Sequence, residues 1–498
     1  MRRFEIYFRP LSFILFIAWH ICSVQGSAAA EVPGRHEVIS FSIEDVTRLA
    51  LENNFDVQIA KFDAHIKRND LLEEVSIFDT VLTAKASFED DELKKNNTIA
   101  GSKALTNKYS VNLSKHLPTG TTVTLDVGDT RSSTNSSFSS LNPSHEAVNR
   151  ISVTQSLGKN FLGLADRNQI KITKKDIENS DWTSLERIES SLAQTQEAYW
   201  KVVLLTWQLD IKREMNWKAG ELYETYKNKI TFGLIEDPDL FAAEANMIQR
   251  QNEVLGAIEA LNSAKDDLLL LLNEDSRRVR IRPLDKLSLD GPRVDFSDSL
   301  KSAIENRKDY KKAKNDIDKR KLSLVVKKNS LWPEIDLEAS FARNGLARKY
   351  REAFKEVYNE DNPEVFIGIT VKVPLENRLA RGQYNKAKLE QARALVELKK
   401  TERKILTEIN DLVTRVNIQV GRVLTQKRVV SLQEKKLNAE SHRFKFGRSG
   451  SDIMIRYQED LLNAKLAYAQ SLFEYRVGLI DLKAAENTLL KENWKGEL

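Results

Sequence analysis

The sequence predicts an α+β membrane protein in which strands of a transmembrane β-barrel are joined to unusually long α-helices, the whole built from an internal duplication. Three observations carry this. Segments of the two halves superpose at constant shifts, two stretches of about 60 residues keep a helical pattern without a proline, and short runs of apolar/polar alternation recur between them. Composition agrees. Only 19 of 498 residues are Gly and 10 are Pro, about half the usual shares, which favours uninterrupted helices and excludes collagen-like or Pro/Gly-rich disordered chains. The 77 basic and 72 acidic residues are interspersed and leave a net charge of only +5, so nothing calls for a nucleic-acid partner.

Residues 1–30 have the order of a secretory signal peptide: Arg2, Arg3 and Arg9, an apolar run from Leu11 to Ile21, then Ala28-Ala29-Ala30 as an A-x-A cleavage site. The mature chain is expected to begin near Glu31. A retained anchor is the rival reading, but the run is shorter than the ~20 residues that span a bilayer. Cys22 is the only cysteine, and His20 and Ile21 before it do not suit a lipoprotein signal. Cleavage leaves no disulfide, thiol nucleophile or Cys-based metal site.

The duplication defines the remaining boundaries. Moving Ala50 onto Ala303 also brings Glu52 onto Glu305, Asn53 onto Asn306, Asp56 onto Asp309 and Ala86-Ser87-Phe88 onto Ala339-Ser340-Phe341, a shift of 253. A second register, shifted by 214, places Phe232-Gly233 on Phe446-Gly447 and Arg167 on Arg381. The shifts differ by 39, so the first repeat, 38–273, holds 39 inserted residues relative to the second, 295–490, all between Phe88 and Ile151. Residues 274–294 connect the repeats and 491–498 form a tail. In the first repeat, Ser42 to Asn54 reads as a short capped helix and Asp56 to Phe78 as a longer one. The long helices run from Arg167 to about Lys229 and from Arg381 to about Phe444, rods of roughly 90–100 Å. Both stop at the Phe-Gly pairs. Gly233, Asp237, Gly447 and Ser451 mark the helix-hairpin tips, with Asp237 and Ser451 expected as N-caps of helices returning to about Asn273 and Leu490.

Strands are expected at 81–88, 151–157, 334–341 and 365–373. The insertion adds a hairpin, 108–128, in which Tyr109, Val111 and Leu113 and then Val123, Leu125 and Val127 alternate with polar residues around a Pro118-Thr119-Gly120 turn. The polar stretches Glu89 to Asn107 and Asp129 to Asn149 read as loops. This order suits a membrane hairpin, giving six strands in place of four, though an extracellular β-ribbon would read the same.

With this order on the page, residues 42–490 resemble the outer-membrane efflux protein family, the TolC-like channels. Particular matches are Leu331-Trp332-Pro333-Glu334-Ile335-Asp336-Leu337 before a strand, Val373-Pro374-Leu375 after one, and Phe446-Gly447 ahead of Leu461-Leu462-Asn463-Ala464. The resemblance implies a homotrimer whose strands close one barrel in outer-membrane lipid and whose helices continue it as a periplasmic α-helical barrel. It implies the exit duct of a tripartite efflux pump or a type I secretion system, partnered by a periplasmic adaptor and an inner-membrane transporter. It also implies a constriction where the tips converge. Asp239 matches an acidic position of the first tip, and Arg448 lies at, or one residue before, a basic position of the second. An Asp239–Arg448 contact is expected to help hold the tips closed. The family's tyrosine falls on Phe444, removing one hydrogen bond. The acidic-ring positions fall on Ile453 and Arg456, which argues against a cation-selective ring. Asp452, Arg456, Glu459 and Asp460 also suit an intrahelical pair network.

A periplasmic coiled-coil adaptor without a pore is the alternative, but no compact Gly-rich segment suggests the lipoyl-like domains it would need. Enzymatic function has no support: His20, His36, His65, His116, His145 and His442 are scattered, with no HExxH, G-x-S-x-G or phosphate-cradling loop. No catalytic, cofactor-binding or metal site is expected. The aromatics Trp182, Tyr199, Trp200, Trp207, Trp217, Tyr223 and Tyr226 on the first long helix are expected to pack between helices.

Overall fold

The computed structural model describes residues 37–94, 99, 101–231, 235–275, 279–291, 293–446 and 448–493. The signal segment, the tip glycines Gly233 and Gly447, and residues 494–498 of the tail lie outside them. In the first half, β1 (Glu37–Phe41) leads to α1 (Ile43–Asn53), α2 (Phe55–Val75), β2 (Thr80–Asp91), β3 (Ala104–His116), β4 (Thr121–Thr134), β5 (Ser144–Ser156), α3 (Leu164–Ile230) and α4 (Asp237–Leu272). The second half follows as β6 (Val279–Pro283), α5 (Phe296–Asn306), α6 (Lys308–Asn329), β7 (Glu334–Ala347), α7 (Tyr350–Asn359), β8 (Pro363–Lys372), α8 (Arg378–Lys445), α9 (Ser451–Glu486) and α10 (Leu489–Asn493).

The duplication is visible in the helix ends. α1 and α5 share the 253 shift at both termini, and α4 and α9 share the 214 shift at both termini. α3 and α8, 67 and 68 residues long, are rods of about 100 Å. Each is entered from a left-handed residue, Gly163 (φ 67°) or Asn377 (φ 43°). α4 and α9 end at left-handed asparagines, Asn273 and Asn487, a conformation asparagine tolerates at a helix C-terminus. The second return helix therefore stops at Glu486 and not at Leu490. Leu489 and Leu490 begin α10 instead, both buried.

Helices form a wall that is four abreast both above and below the waist. On the tip side of the waist α3 packs between α4 and α9, and α8 beside α9; on the sheet side α3 packs between α2 and α6, and α8 beside α6. The neighbours thus change at the waist while α3 and α8 run through. Two side chains serve the break. Asn54 caps α2 by accepting from the N–H groups of Asp56 (2.8 Å) and Val57 (3.2 Å), and donates its amide to the Leu271 carbonyl near the end of α4 (2.8 Å). The equivalent residue, Arg307, donates to the Ala485 carbonyl of α9 (3.1 Å), to Glu408 (2.8 Å) and to Asp309 (2.8 Å). Leu271 and Ala485 are themselves equivalent in the 214 register. Around this waist lie α1, α5, α10 and a parallel β1–β6 pair, so the connector 274–294 contributes a strand. Tyr199, fully buried, donates its hydroxyl to Asp285 (2.6 Å).

β2, β3, β4, β5, β7 and β8 form one antiparallel sheet in that order. The inserted hairpin is part of this sheet, and its strands are longer than expected. Residues 89–91, 104–107, 129–134 and 144–149, read from sequence as loop, pair as ladder rungs. Backbone pairing continues there although most of the side chains are polar. One face carries Leu82, Val111, Leu125, Ile151, Val153, Phe341, Ile367 and Ile369; the other carries Ser110, Asp126, Arg150, Ser152, Glu338 and Thr370. The Pro118–Gly120 turn sits at the helical end of the sheet. A Cβ on Gly163 (φ +67°) would lie 2.1 Å from the Pro118 carbonyl oxygen, so only glycine lets the turn seat against the start of α3. His116 bonds Asp166 of α3 (2.9 Å) beside it.

Arg307→Ala removes a guanidinium that is 7% exposed and leaves Asp309 and the Ala485 carbonyl without it. The expected loss is about 2–4 kcal/mol, somewhat less than the roughly 3–5 kcal/mol of a fully buried broken pair, because Asp309 and Glu408 keep some water. Thermal unfolding should show it, with exposed Arg393→Ala nearly silent.

Candidate functional site: the hairpin tips and the waist

The α3–α4 and α8–α9 tips meet through side chains that the helix ends deliver. Glu236 and Gly450 occupy the N-cap positions, so Asp237 and Ser451 are the first helical residues and not the caps. The Ser451 hydroxyl is used across the tips instead, donating to Asp239 (2.7 Å). Asp239 therefore contacts Ser451 in place of the expected Arg448. Arg448 is exposed and, among the described residues, forms no ion pair; its backbone N–H closes the turn onto the Arg443 carbonyl (3.0 Å).

Phe444 is buried and packs on Tyr226 of α3 with ring centroids 5.6 Å apart. Lys229 lies 4.3 Å from the Phe444 centroid, a cation–π contact that joins the ends of α3 and α8. Burial raises the Tyr226 hydroxyl above its ordinary pKa, with the charges of Asp239 and Asp452 adding to the effect. Asp452 and Arg456 are exposed, and the intrahelical network expected with Glu459 and Asp460 does not form. Asp460 pairs with Lys436 of α8 (2.7 Å), and Arg456 lies 5.6 Å from the Tyr457 ring. Basic residues gather at the helix C-termini (Lys227, Lys229, Arg443, Lys445) and acidic ones at the N-termini (Asp237, Asp239, Asp452), as the helix dipoles favour.

Further up, Lys465 of α9 pairs with Glu214 of α3 (2.8 Å), and Trp207 meets Tyr468 edge-on at 5.8 Å. Tyr199, Trp200 and Tyr226 are buried in the main core, while Trp217 is 61% exposed. At the waist a cleft of about 560 Å³ is lined by Glu186, Glu189, Glu197, Arg307, Asp309, Glu408 and Asp481. Glu189 accepts from the Leu490 N–H (3.2 Å), its other oxygen has no partner, and burial pushes its carboxyl up to about 7. Glu197 is likewise pushed up to about 7 by burial and by the Asp481 carboxylate beside it. Neither the Asp239–Ser451 bond nor the waist carboxyls could be found from spacing, because each joins helices far apart in sequence. Among the described residues no cluster of His, Cys, Asp or Glu could hold a metal ion. No helix there is long and apolar enough to cross a membrane.

The fold of this chain, an antiparallel sheet joined to helices about 100 Å long, is similar to that of solved outer-membrane channels. The Campylobacter jejuni CmeC outer membrane channel matches with a TM-score of 0.67 and 14% identity over 89% of this chain and 85% of that one. The outer membrane protein VceC of Vibrio cholerae matches at 0.67 and 15% over 89% and 96%. The open state of the Neisseria gonorrhoeae MtrE outer membrane channel matches at 0.65 and 15% over 89% and 88%. No family model and no curated protein matches the sequence.

Two outcomes follow from this geometry. Ser451→Ala should loosen the contact between the tips by about 0.5–1 kcal/mol, the worth of one hydrogen bond, and lower the thermal unfolding midpoint slightly; Arg448→Ala should leave the midpoint unchanged. At the waist, folded Glu189 and Glu197 hold protons up to about pH 7, above the ordinary 4.5, so the folded state binds more protons than the unfolded one between those values. Stability should fall as pH rises through that window and level off above it. Glu189→Gln should weaken the slope and raise the melting midpoint at pH 8, with little change at pH 5.

Proposed function

We propose that the protein is the outer-membrane exit duct of a tripartite efflux pump or a type I secretion system, a passive homotrimeric conduit crossing the outer membrane and the periplasm of a Gram-negative bacterium. The observation that carries this reading is the sheet. It has one apolar and one polar face and two unpaired edges, β2 and β8. Edges are not tolerated in lipid, so a single chain cannot be the membrane unit. Joining β2 of one copy to β8 of the next three times closes an eighteen-stranded barrel with its apolar face toward lipid. The fold shared with CmeC, VceC and MtrE supports the same reading.

The helices support it from the other end. α2 exposes Phe62 (65%) and Ile66 (65%), and α8 exposes Leu389, Val396, Ile418 and Leu432, apolar stripes that need a neighbour. The tips then face a periplasmic adaptor and an inner-membrane transporter, with Asp239, Ser451, Tyr226 and Phe444 holding the constriction. Because the family's acidic-ring positions carry Ile453 and Arg456, the constriction lacks the ring expected to select cations.

Detergent-purified protein should run as a trimer and conduct ions in planar bilayers; a water-soluble, non-conducting monomer would overturn the proposal. The hairpin turn beside α3 should face the periplasm. Thr119→Cys is then expected to stay unlabelled when intact cells meet a membrane-impermeant maleimide, and to react once the outer membrane is permeabilised.

A further inference from the structure

α7 is not explained by a conduit. It lies on the apolar face of the sheet, at the end away from the long helices, where Ala353 and Val357 pack on Ala147 and Ala347. A Cβ on Gly345 would come within 2.0 Å of the Ala353 carbonyl oxygen, so the close seat depends on that glycine. Beneath it His145 bonds Asp129 (2.9 Å) and meets Tyr350 edge-on at 6.3 Å. Beyond its flank Tyr350 and Phe354 overhang β2–β4, leaving a groove of about 360 Å³ lined by Ala84, Ala86, Tyr109, Val111 and Val127. The groove opens onto the belt of Leu82, Leu113 and Leu125, which shares its face.

Charge marks the rim above the groove. Arg351 and Lys355, one helical turn apart, lie opposite the buried Ala353 and Val357 and are exposed. Arg348 precedes them, and Arg131 shares a sheet rung with His145 and Ala347. Among the described residues none of these four forms an ion pair, although carboxylates are close in sequence: Glu352 pairs with Lys349, and Glu356 accepts from the Leu346 N–H. An apolar groove under a basic rim matches a molecule with acyl chains below and phosphates above.

We propose that this is a binding site for a phosphorylated multi-acyl glycolipid of the outer leaflet, one chain lying in the groove and its phosphates held by Arg131, Arg348, Arg351 and Lys355. The assignment rests on the reading of the sheet as a membrane barrel with this face outward. The binding groups are guanidinium and ammonium donors to phosphate oxygens, and the small side chains of Ala84 and Ala86 make the room.

The test uses the intact trimer, with its conductance measured separately in planar bilayers, and counts bound lipid by native mass spectrometry with bis-phosphorylated hexa-acyl lipid A as the probe. Up to three molecules per trimer are expected. Arg351→Ala/Lys355→Ala should weaken binding by about tenfold or more, and Ala84→Phe, which fills the groove without touching charge, should weaken it as well. The double variant alters only exposed side chains, so it remains decisive if Ala84→Phe does not fold. Equal affinity in the double variant, equal binding of phosphate-free lipid A, or an empty groove because the neighbouring copy covers it would overturn the site. A trimer that binds this lipid but fails to conduct would count against the channel reading and not against the site.

Discussion

The structure depends on how two uninterrupted 100 Å helices are flanked by helices of about half their length or less. Wherever α4 gives way to α2, and α9 to α6, carbonyls at one end and N–H groups at the other lose their intrahelical partners. Asn54 meets both needs at one break with a single amide. At the other the work is divided: Arg307 takes the Ala485 carbonyl, while Asn487 accepts from the Lys308 N–H (3.0 Å). The waist elements, β1–β6, α1, α5 and α10, pack where these breaks fall. The main core reaches from the waist to the tips through α3, α4, α8 and α9.

The two halves are equivalent in backbone and divergent in side chain. A neutral amide on one side faces a buried guanidinium with two carboxylate partners on the other. The waist cleft gathers acidic groups from α3, α8 and α9 around that guanidinium, and two of them, Glu189 and Glu197, lie too deep or too close to another carboxylate to ionise at the ordinary pH. At the tips the asymmetry is of another kind, since Tyr226 and Lys229 on α3 are answered by Phe444 on α8.

Helix positions were legible where the chain punctuates them: Pro238 and Asn273 sit within one or two residues of ends, and no proline interrupts α3 or α8, whereas the stop at Asn487 falls short of the expected end at Leu490. Strand positions were legible only where side chains alternate. The rungs at 130–134 are polar on both faces, and opposite them 104–107 offers only Ala104 and Leu105 as adjacent apolar residues, so pairing there left no periodic trace. β1 and β6 are five residues each, separated by more than 230 positions, and their parallel pairing has no local signature. α7 follows the i, i+4 spacing of Ala353 and Val357, but it lies between two expected strands, where no helix was expected. The tip contact differs for a simpler reason: the positions matched to the family paired Asp239 with Arg448, whereas helix geometry puts the Ser451 hydroxyl nearer to Asp239.

The inserted hairpin changes the girth of the molecule. Six strands about 4.8 Å apart and tilted by about 40° cover roughly 38 Å of perimeter per chain, close to the roughly 36–40 Å covered by four helices at 9–10 Å spacing. Four strands would cover only about 25 Å on the same reckoning. In the proposed trimer the sheet and the helical wall therefore have matching circumferences. In that proposed assembly a solute wide enough to fill the helical section would meet no narrower throat at the sheet.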